Sequence, residues 1–304
     1  MFAKNELKAW LQASRLPSQL YIILPLVLGQ LLAFSSSGFS FFSYNAFFMS
    51  LVYSFSLQFF IVYANDLADY ETDKMNQNSS PFSGGSRVLV DKLLKPKDLE
   101  FALCLCLAMV ISLGFFFSYY RSSLTLLFLS LAGPFFLWLY SFPPVKLSYR
   151  GGGEILQAVG LSCILPLLGF LLQKGQLDLY FFLFFFSCFF TQLACAMSTT
   201  IPDVTSDHFS HKKTFVLLLG PYWTCFFICF FHNLSYFFIF YFLLKNSSFE
   251  FKKIVEPFFI QVLLNFFLLY SFYKKKINSF IFFSLSLTFF LLLYLMYLTS
   301  TQIF

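Results

Sequence analysis

Long stretches almost free of charged side chains alternate with short polar ones along this chain. A helix that crosses a bilayer needs about 20 mainly apolar residues. Runs of that kind fall at about 18–36, 41–64, 99–119, 122–141, 154–173, 178–201, 214–244, 254–272 and 279–298. The pattern predicts an all-α, polytopic membrane bundle of about nine transmembrane helices, forming one integral membrane domain over residues 1–304. The run 214–244 is the least uniform, since Pro221 and the His232-Asn233 pair could divide it into a hairpin. Ahead of the first run, Phe2, Leu7, Trp10 and Leu11 fall near one helical face beside Lys4 and Lys8. That is the pattern of an interfacial helix leading into a span.

Composition agrees. Hydrophobic residues make up 59% of the chain and charged ones only 11%, against about a quarter charged in a soluble domain. The basic residues give an orientation. With nine spans, one side of the membrane receives Lys4, Lys8, Arg15, Lys74, Arg87, Lys92, Lys95, Lys97, Lys146, Arg150, Lys212, Lys213 and Lys274 to Lys276. The other receives Arg121, Lys174, Lys245, Lys252 and Lys253. The excess marks the N-terminus and the loops 65–98, 142–153, 202–213 and 273–278 as cytoplasmic. The net charge of +6 therefore belongs to basic cytoplasmic loops and gives no argument for nucleic-acid binding. All seven cysteines lie inside apolar runs with no C-x-x-C pair, which reads as packing rather than metal binding or disulfides.

Acidic residues are few and unevenly placed. Asp66, Asp69 and Asp73 sit at the end of the second run with i, i+3, i+7 spacing, which continued as helix puts them on one face. Asn65 stands one turn before Asp69, and a second pair, Asp203 and Asp207, ends the sixth run. Four spans separate the two clusters, so both emerge on the same side. Two carboxylate sets facing one space repel unless a cation joins them. Oxygen ligands of this kind suit magnesium, which recruits substrate phosphates to complete its shell.

Cations and small residues occur in three loops on that side: Ser83-Gly84-Gly85-Ser86-Arg87, the stretch from Pro143 through Lys146 and Arg150 to Glu154, and His211-Lys212-Lys213-Thr214. Glycine lets backbone N–H groups approach phosphate oxygens, and Arg or Lys neutralises the remaining charge. Neither glycine run fits a Walker loop or a dinucleotide fingerprint. Arg87, Lys146 and Arg150 also satisfy the orientation rule without any ligand. His208 and His211 have no cysteine beside them for a zinc site.

Together N-D-x-x-D-x-x-x-D at 65–73, D-x-x-x-D at 203–207 and Y-S-x-P-P-V-K-L-x-Y-R-G-x-G-E at 140–154 resemble the UbiA superfamily of intramembrane prenyltransferases. The opening from Trp10 to Gly29 resembles its first helix. The 140–154 segment looks most like the 1,4-dihydroxy-2-naphthoate polyprenyltransferases of menaquinone synthesis. Two departures stand out: Leu16 separates Arg15 from Pro17, and Asp207 leads through His208 and His211 to Lys212-Lys213-Thr214. The resemblance implies nine helices around a central cavity that opens to lipid. It implies that Asp66, Asp69, Asp73, Asp203 and Asp207 hold two Mg²⁺ ions against a polyprenyl diphosphate. Asn65, Arg87, Lys146, Arg150 and Lys213 become candidate substrate contacts. Tyr63, Tyr70, Tyr140 and Tyr149 lie near the motifs. Implied partners are polyprenyl diphosphate, a small aromatic acceptor and membrane lipid, in a bacterial inner (cytoplasmic) membrane. The acceptor stays open among dihydroxynaphthoate, 4-hydroxybenzoate, homogentisate, a porphyrin-type ring and an ether lipid. A transporter fits less well, because its ionisable residues would lie at the midplane of the membrane. A scaffold would leave the aspartate spacing without a purpose.

Overall fold

The computed structural model describes residues 2–38, 42–75, 85–182, 184–245 and 252–300, so Ser83 and Gly84 lie outside the described residues. In chain order the helices are α1 Phe2–Ala13, α2 Leu20–Ser36, α3 Tyr44–Ala68, α4 Tyr70–Met75, α5 Pro96–Arg121, α6 Leu124–Ser141, α7 Leu147–Arg150 and α8 Gly153–Val159. They continue as α9 Leu165–Lys174, α10 Leu179–Phe182, α11 Phe185–Thr200, α12 Val204–Phe209, α13 Phe215–Leu219, α14 Pro221–Lys245, α15 Lys252–Tyr273 and α16 Ile277–Ser300. All regular structure among the described residues is helical.

Seven stretches among the described residues are long and apolar enough to cross a membrane: Glu6–Ser36, Tyr44–Ala68, Pro96–Arg121, Leu124–Ser141, Gly153–Lys174, Pro221–Tyr241 and Ile277–Ser300. The other two predicted spans correspond to Phe185–Thr200, a helix of 16 residues, and to the 22-residue α15. The run 214–244 does not form a hairpin at His232-Asn233. It breaks early, at Gly220 with φ 79°, and α14 then continues unbroken for 25 residues. Proline at the first helical position explains the restart, because it lacks an N–H that no partner would have accepted there. In the span Gly153–Lys174 a π-helical turn, Gly160–Ile164, joins α8 to α9. Pro166 follows it and cannot donate to the ordinary ladder, so the turn widens ahead of it.

The helices form a closed ring. The helix α3 lies between α2 and α5, α6 follows against α5, and α9 returns to both α6 and α2. In the second half α11 packs on α14, and α16 contacts α15, α11 and α2. The outer surface carries Phe101, Leu105, Phe128, Leu263 and Phe266, all more than half exposed. An apolar surface of that extent belongs in lipid.

The α2–α9 contact brings backbones together. A Cβ added at Gly29 would fall 1.9 Å from the Pro166 carbonyl oxygen, and one at Gly169 would fall 2.2 Å from that of Leu26. Small residues permit this approach, and lipid offers no hydrophobic force that would otherwise hold two apolar helices together. Beyond that contact lies a buried amide network. Gln173 Nε2 donates to Gln30 Oε1 at 2.8 Å and its Oε1 accepts from Ser43 N at 2.8 Å, while Gln30 Nε2 donates to Ser50 Oγ at 2.8 Å. Arg121 donates to the Leu172 and Gln173 carbonyls, capping the end of α9. Cys188, Cys195 and Cys225 are buried in the core, whereas Cys104 lies on the exposed face of α5.

Candidate active site

At the opposite end from the amide network, the two aspartate motifs meet. The helix α3 ends at Asp69, but hydrogen bonds from Asp69 N to Asn65 O and from Asp73 N to Asp69 O, both 2.8 Å, carry the helical path into α4. Pro202 in the turn Ile201–Asp203 ends α11 and starts α12, which packs on α4. The meeting encloses a pocket of about 110 Å³ lined by Arg15, Asn65, Asp69, Thr72, Asp73, Gly85, Asp203, Ser206, Asp207 and Lys212.

The face presented differs from the one expected. Asn65, Asp69 and Asp73, spaced i, i+4, i+8, line the pocket. Asp66 does not. Its carboxylate is buried beside the pocket, paired with the Arg15 guanidinium and accepting from the Ser86 hydroxyl and from Ser86 N at 3.2 Å. Arg15 arrives there because Pro17 cannot extend α1, and the helical path breaks at a left-handed Arg15 with φ 41° before the turn Leu16–Gln19.

Lys212 is the pocket's central cation. Its ammonium lies 2.9 Å from Asp69 Oδ1 and 3.8 Å from Asp207 Oδ1, so one side chain spans both motifs. Three backbone contacts fix it. Lys212 N donates to Asp207 O at 3.0 Å, Lys213 N donates to Ser148 O at 2.9 Å, and Phe215 N donates to Glu154 Oε1 at 2.6 Å. The glycine-rich segment 147–154 therefore braces the loop that carries Lys212.

The other expected cations point elsewhere. Lys213 is exposed, because left-handed His211 with φ 60° turns its neighbour Lys212 inward instead. Lys146 sits 3.7 Å from the centroid of the Tyr149 ring, a cation–π contact of its own. Arg150 donates to the Pro144 carbonyl at 2.8 Å and is exposed. Arg87 pairs with Asp91 at 3.5 Å and reaches the Asp73 carbonyl from outside the pocket. His208 and His211 are exposed on the loop. Sequence reasoning gave Lys212 no role beyond its place in a basic loop and left Arg15 without one; Lys212 follows the second acidic motif directly, whereas Arg15 lies 51 residues from its partner and carries no such signal.

Burial, then repulsion from Asp69 and Asp66, pushes the Asp73 carboxyl up to about 6 despite opposing Arg15 and Lys212. Burial likewise raises Asp207 to about 6, with Lys212 opposing and Asp69 and Glu154 adding to the rise. Burial alone would lower Lys212, but Asp69 and Asp207 outweigh it and raise its pKa. The pocket thus holds more negative charge than its own cations neutralise.

The donors are hard oxygens, which fits a divalent cation such as Mg²⁺. A Cβ at Gly85 would lie 2.2 Å from Asp73 Oδ2 and 3.1 Å from the Arg15 guanidinium, so glycine keeps this space open. Among the described residues no three carboxylate, imidazole or thiol groups converge enough to hold a metal ion by themselves. Asp69, Asp73, Asp203 and Asp207 are the residues that could hold one, with further oxygens supplied by a ligand.

Directly inward lies a larger cavity of about 320 Å³. Tyr21, Ile22, Leu57, Phe136, Tyr140 and Leu161 contribute to its mainly apolar wall, and the π-helical turn forms part of one side. Arg15 and Asn65 line both spaces. Asn65 Oδ1 also accepts from Ser141 Oγ at 3.2 Å, which fixes it at the junction. Of the four tyrosines near the motifs, only Tyr140 lines either space. Tyr63 packs against Trp10 and Phe59, Tyr70 lies under the Lys74 ammonium, and Tyr149 under that of Lys146.

Fold and site together define a polytopic α-helical membrane protein with an acidic pocket set above an apolar cavity. The chain belongs to the UbiA prenyltransferase family, which it matches over residues 22–299. Solved structures of other chains share the fold. A UbiA homologue from Aeropyrum pernix K1 aligns at TM-score 0.66 and 14% identity, covering 89% of this chain and 94% of that one. A digeranylgeranylglyceryl phosphate synthase aligns at 0.62 and 17%, covering 96% and 98%. A homologue from Archaeoglobus fulgidus bound to GPP and Mg²⁺ aligns at 0.59 and 14%, covering 93% and 100%. No curated protein sequence matches the chain.

Proposed function

We propose that this prenyltransferase moves a polyprenyl group from an allylic polyprenyl diphosphate to an aromatic acceptor, 1,4-dihydroxy-2-naphthoate or a similar quinone precursor. The observation that carries the reading is the stacking of the two spaces: an acidic, cation-bridged pocket of about 110 Å³ lies against an apolar cavity of about 320 Å³, with Arg15 and Asn65 in the wall of both. An allylic diphosphate has the same division between charged head and apolar body. The Archaeoglobus fulgidus homologue bound to GPP and Mg²⁺ has this fold, which supports placing the head among the aspartates here.

Asp69, Asp73, Asp203 and Asp207 would hold magnesium, which we take as two ions. Bound there, magnesium supplies charge neutralisation to the departing diphosphate. Arg15 and Lys212 add fixed positive charge at the same end, preorganised by Asp66 and by the brace from 147–154. The apolar wall excludes water from the allylic carbon, and the Tyr21 and Tyr140 rings can stabilise positive charge there through their π-faces. As the allylic C–O bond breaks, the acceptor's ring carbon forms the new C–C bond in the cavity, and that carbon sheds its proton to the released diphosphate or, where it bears a carboxylate, loses CO₂. The basic loops support an aspartate end on the cytoplasmic side of the membrane, which we take to be a bacterial inner membrane.

The test is purified full-length protein with Mg²⁺, a geranylgeranyl or longer diphosphate, and a panel of dihydroxynaphthoate, 4-hydroxybenzoate, homogentisate and a glycerol ether phosphate, read by mass spectrometry. A prenylated aromatic product is expected. Product from the glycerol ether alone would replace the acceptor, and turnover undiminished by EDTA would remove the metal from the mechanism.

A further inference from the structure

We infer that Lys212 serves as a resident counter-ion that bridges the two aspartate motifs in the metal-free protein and makes entry of the metal conditional on a diphosphate. The inference rests on the prenyl diphosphate reading above and concerns what guards the site before substrate arrives.

Three observations lead to it. First, the ammonium lies 2.9 Å from Asp69 and 3.8 Å from Asp207, one carboxylate from each motif, where a cation shared between the motifs must sit. Second, the position is built. The loop is tied to Asp207 through Lys212 N, to Ser148 through Lys213 N and to Glu154 through Phe215 N. The Lys212 side chain is only 11% exposed, unlike that of exposed Lys213 beside it. Third, no three metal-binding groups among the described residues converge on one point without a ligand. A divalent ion arriving alone meets two carboxylates already paired with an ammonium, and Asp73 and Asp203 do not converge with them on one point to complete its shell.

A diphosphate changes the balance. Its oxygens offer the ammonium a new anionic partner and offer the metal its missing ligands. Lys212 can then leave the carboxylate bridge without losing its charge partner, and the two aspartates become available. Metal and diphosphate therefore bind with positive coupling, which is reciprocal by thermodynamic necessity. Removing the ammonium should weaken that coupling from both sides. Without it, Asp69 and Asp207 face each other across the pocket and attract a divalent ion unaided.

The experiment uses the full chain in detergent and titrates Mn²⁺, followed by electron paramagnetic resonance of the free ion, with and without inorganic pyrophosphate. The parent should bind Mn²⁺ weakly alone and at least about tenfold more tightly with pyrophosphate. Lys212→Met should bind Mn²⁺ alone at least about tenfold more tightly than the parent, given the strength of a charge contact at this range, and should show reduced coupling to pyrophosphate. Lys212→Gln keeps polar packing and answers the same question should the methionine variant not fold. Lys212→Arg should restore the parent's coupling. If the parent binds Mn²⁺ with pyrophosphate and the neutral variants bind Mn²⁺ alone no better than it does, the counter-ion role is wrong. If neither protein binds Mn²⁺ even with pyrophosphate, the diphosphate reading falls and this inference with it.

Discussion

The aspartates at the site do different work, and single substitutions should separate them. Asp203 lines the pocket, so Asp203→Ala should abolish turnover and leave the thermal midpoint close to the parent's. Asp69→Ala should also abolish turnover. Losing one preorganised electrostatic contact at a departing oxyanion typically costs about 10²–10³ in rate. Asp66 is 4% exposed and holds Arg15 and Ser86. Asp66→Ala leaves those donors without their acceptor, so it should cost about 1–3 kcal/mol of stability besides activity. Equal midpoints for Asp66→Ala and Asp203→Ala would show that the ion pair contributes nothing to folding. The raised carboxyls of Asp73 and Asp207 give a further check. Both bind protons more tightly folded than unfolded. Their contribution is fully present below the ordinary carboxylate pKa and is lost as pH rises towards about 6. The metal-free protein should therefore lose thermal stability between about pH 4 and 6 and level off above. Protons compete with a cation for the same oxygens, so Mn²⁺ affinity in the presence of pyrophosphate should rise over that window. A flat thermal midpoint from pH 4 to 7 would contradict the burial of these two groups.

At the level of elements, hydropathy made most of the fold legible, because a lipid-facing helix must be apolar all round and about 20 residues long. The aspartate motifs were legible for the complementary reason: carboxylates gathered at the ends of apolar helices are costly without a partner. What sequence could not show depends on backbone turns. The left-handed His211 decides that Lys212 and not Lys213 enters the pocket, and the break at left-handed Arg15 brings that side chain to a partner 51 residues away. Along the path from α3 into α4 the pocket is lined by Asn65, Asp69 and Asp73, with the expected Asp66 beside it against Arg15. Spacing alone cannot choose between two adjacent stripes. The α2–α9 contact yields a prediction of its own. Gly29→Ala or Gly169→Ala forces two backbones apart and should lower stability by about 1–3 kcal/mol or more, measured as the thermal midpoint in detergent. Gly160→Ala meets only Phe136, at 3.4 Å, and should stay near the parent. Equal effects at all three glycines would argue against backbone contact as the reason for the glycines in α2 and α9.

Viewed whole, the ring of helices has two unlike ends, and the difference can be tested by labelling. On a cysteine-free background, exposed Lys97→Cys and Thr205→Cys should react with an impermeant reagent from one face of the membrane, and Leu177→Cys from the other. Labelling of positions 97 and 205 from opposite faces would separate the two motifs. The closed end carries a consequence of its own. On α2 the lining of the inner cavity stops at Ile22, and Gly29 beyond it lies against the Pro166 backbone. Past that seal, Gln30, Gln173, Ser43 and Ser50 satisfy one another across the helices. Among the described residues the interior is thus a cul-de-sac: a charged molecule that enters at the aspartates meets no continuation along α2 and α9 towards the far compartment. Proteoliposomes loaded with labelled pyrophosphate should retain it through many turnovers, and the membrane should keep its ion gradients while a reaction between charged and greasy partners runs inside its thickness.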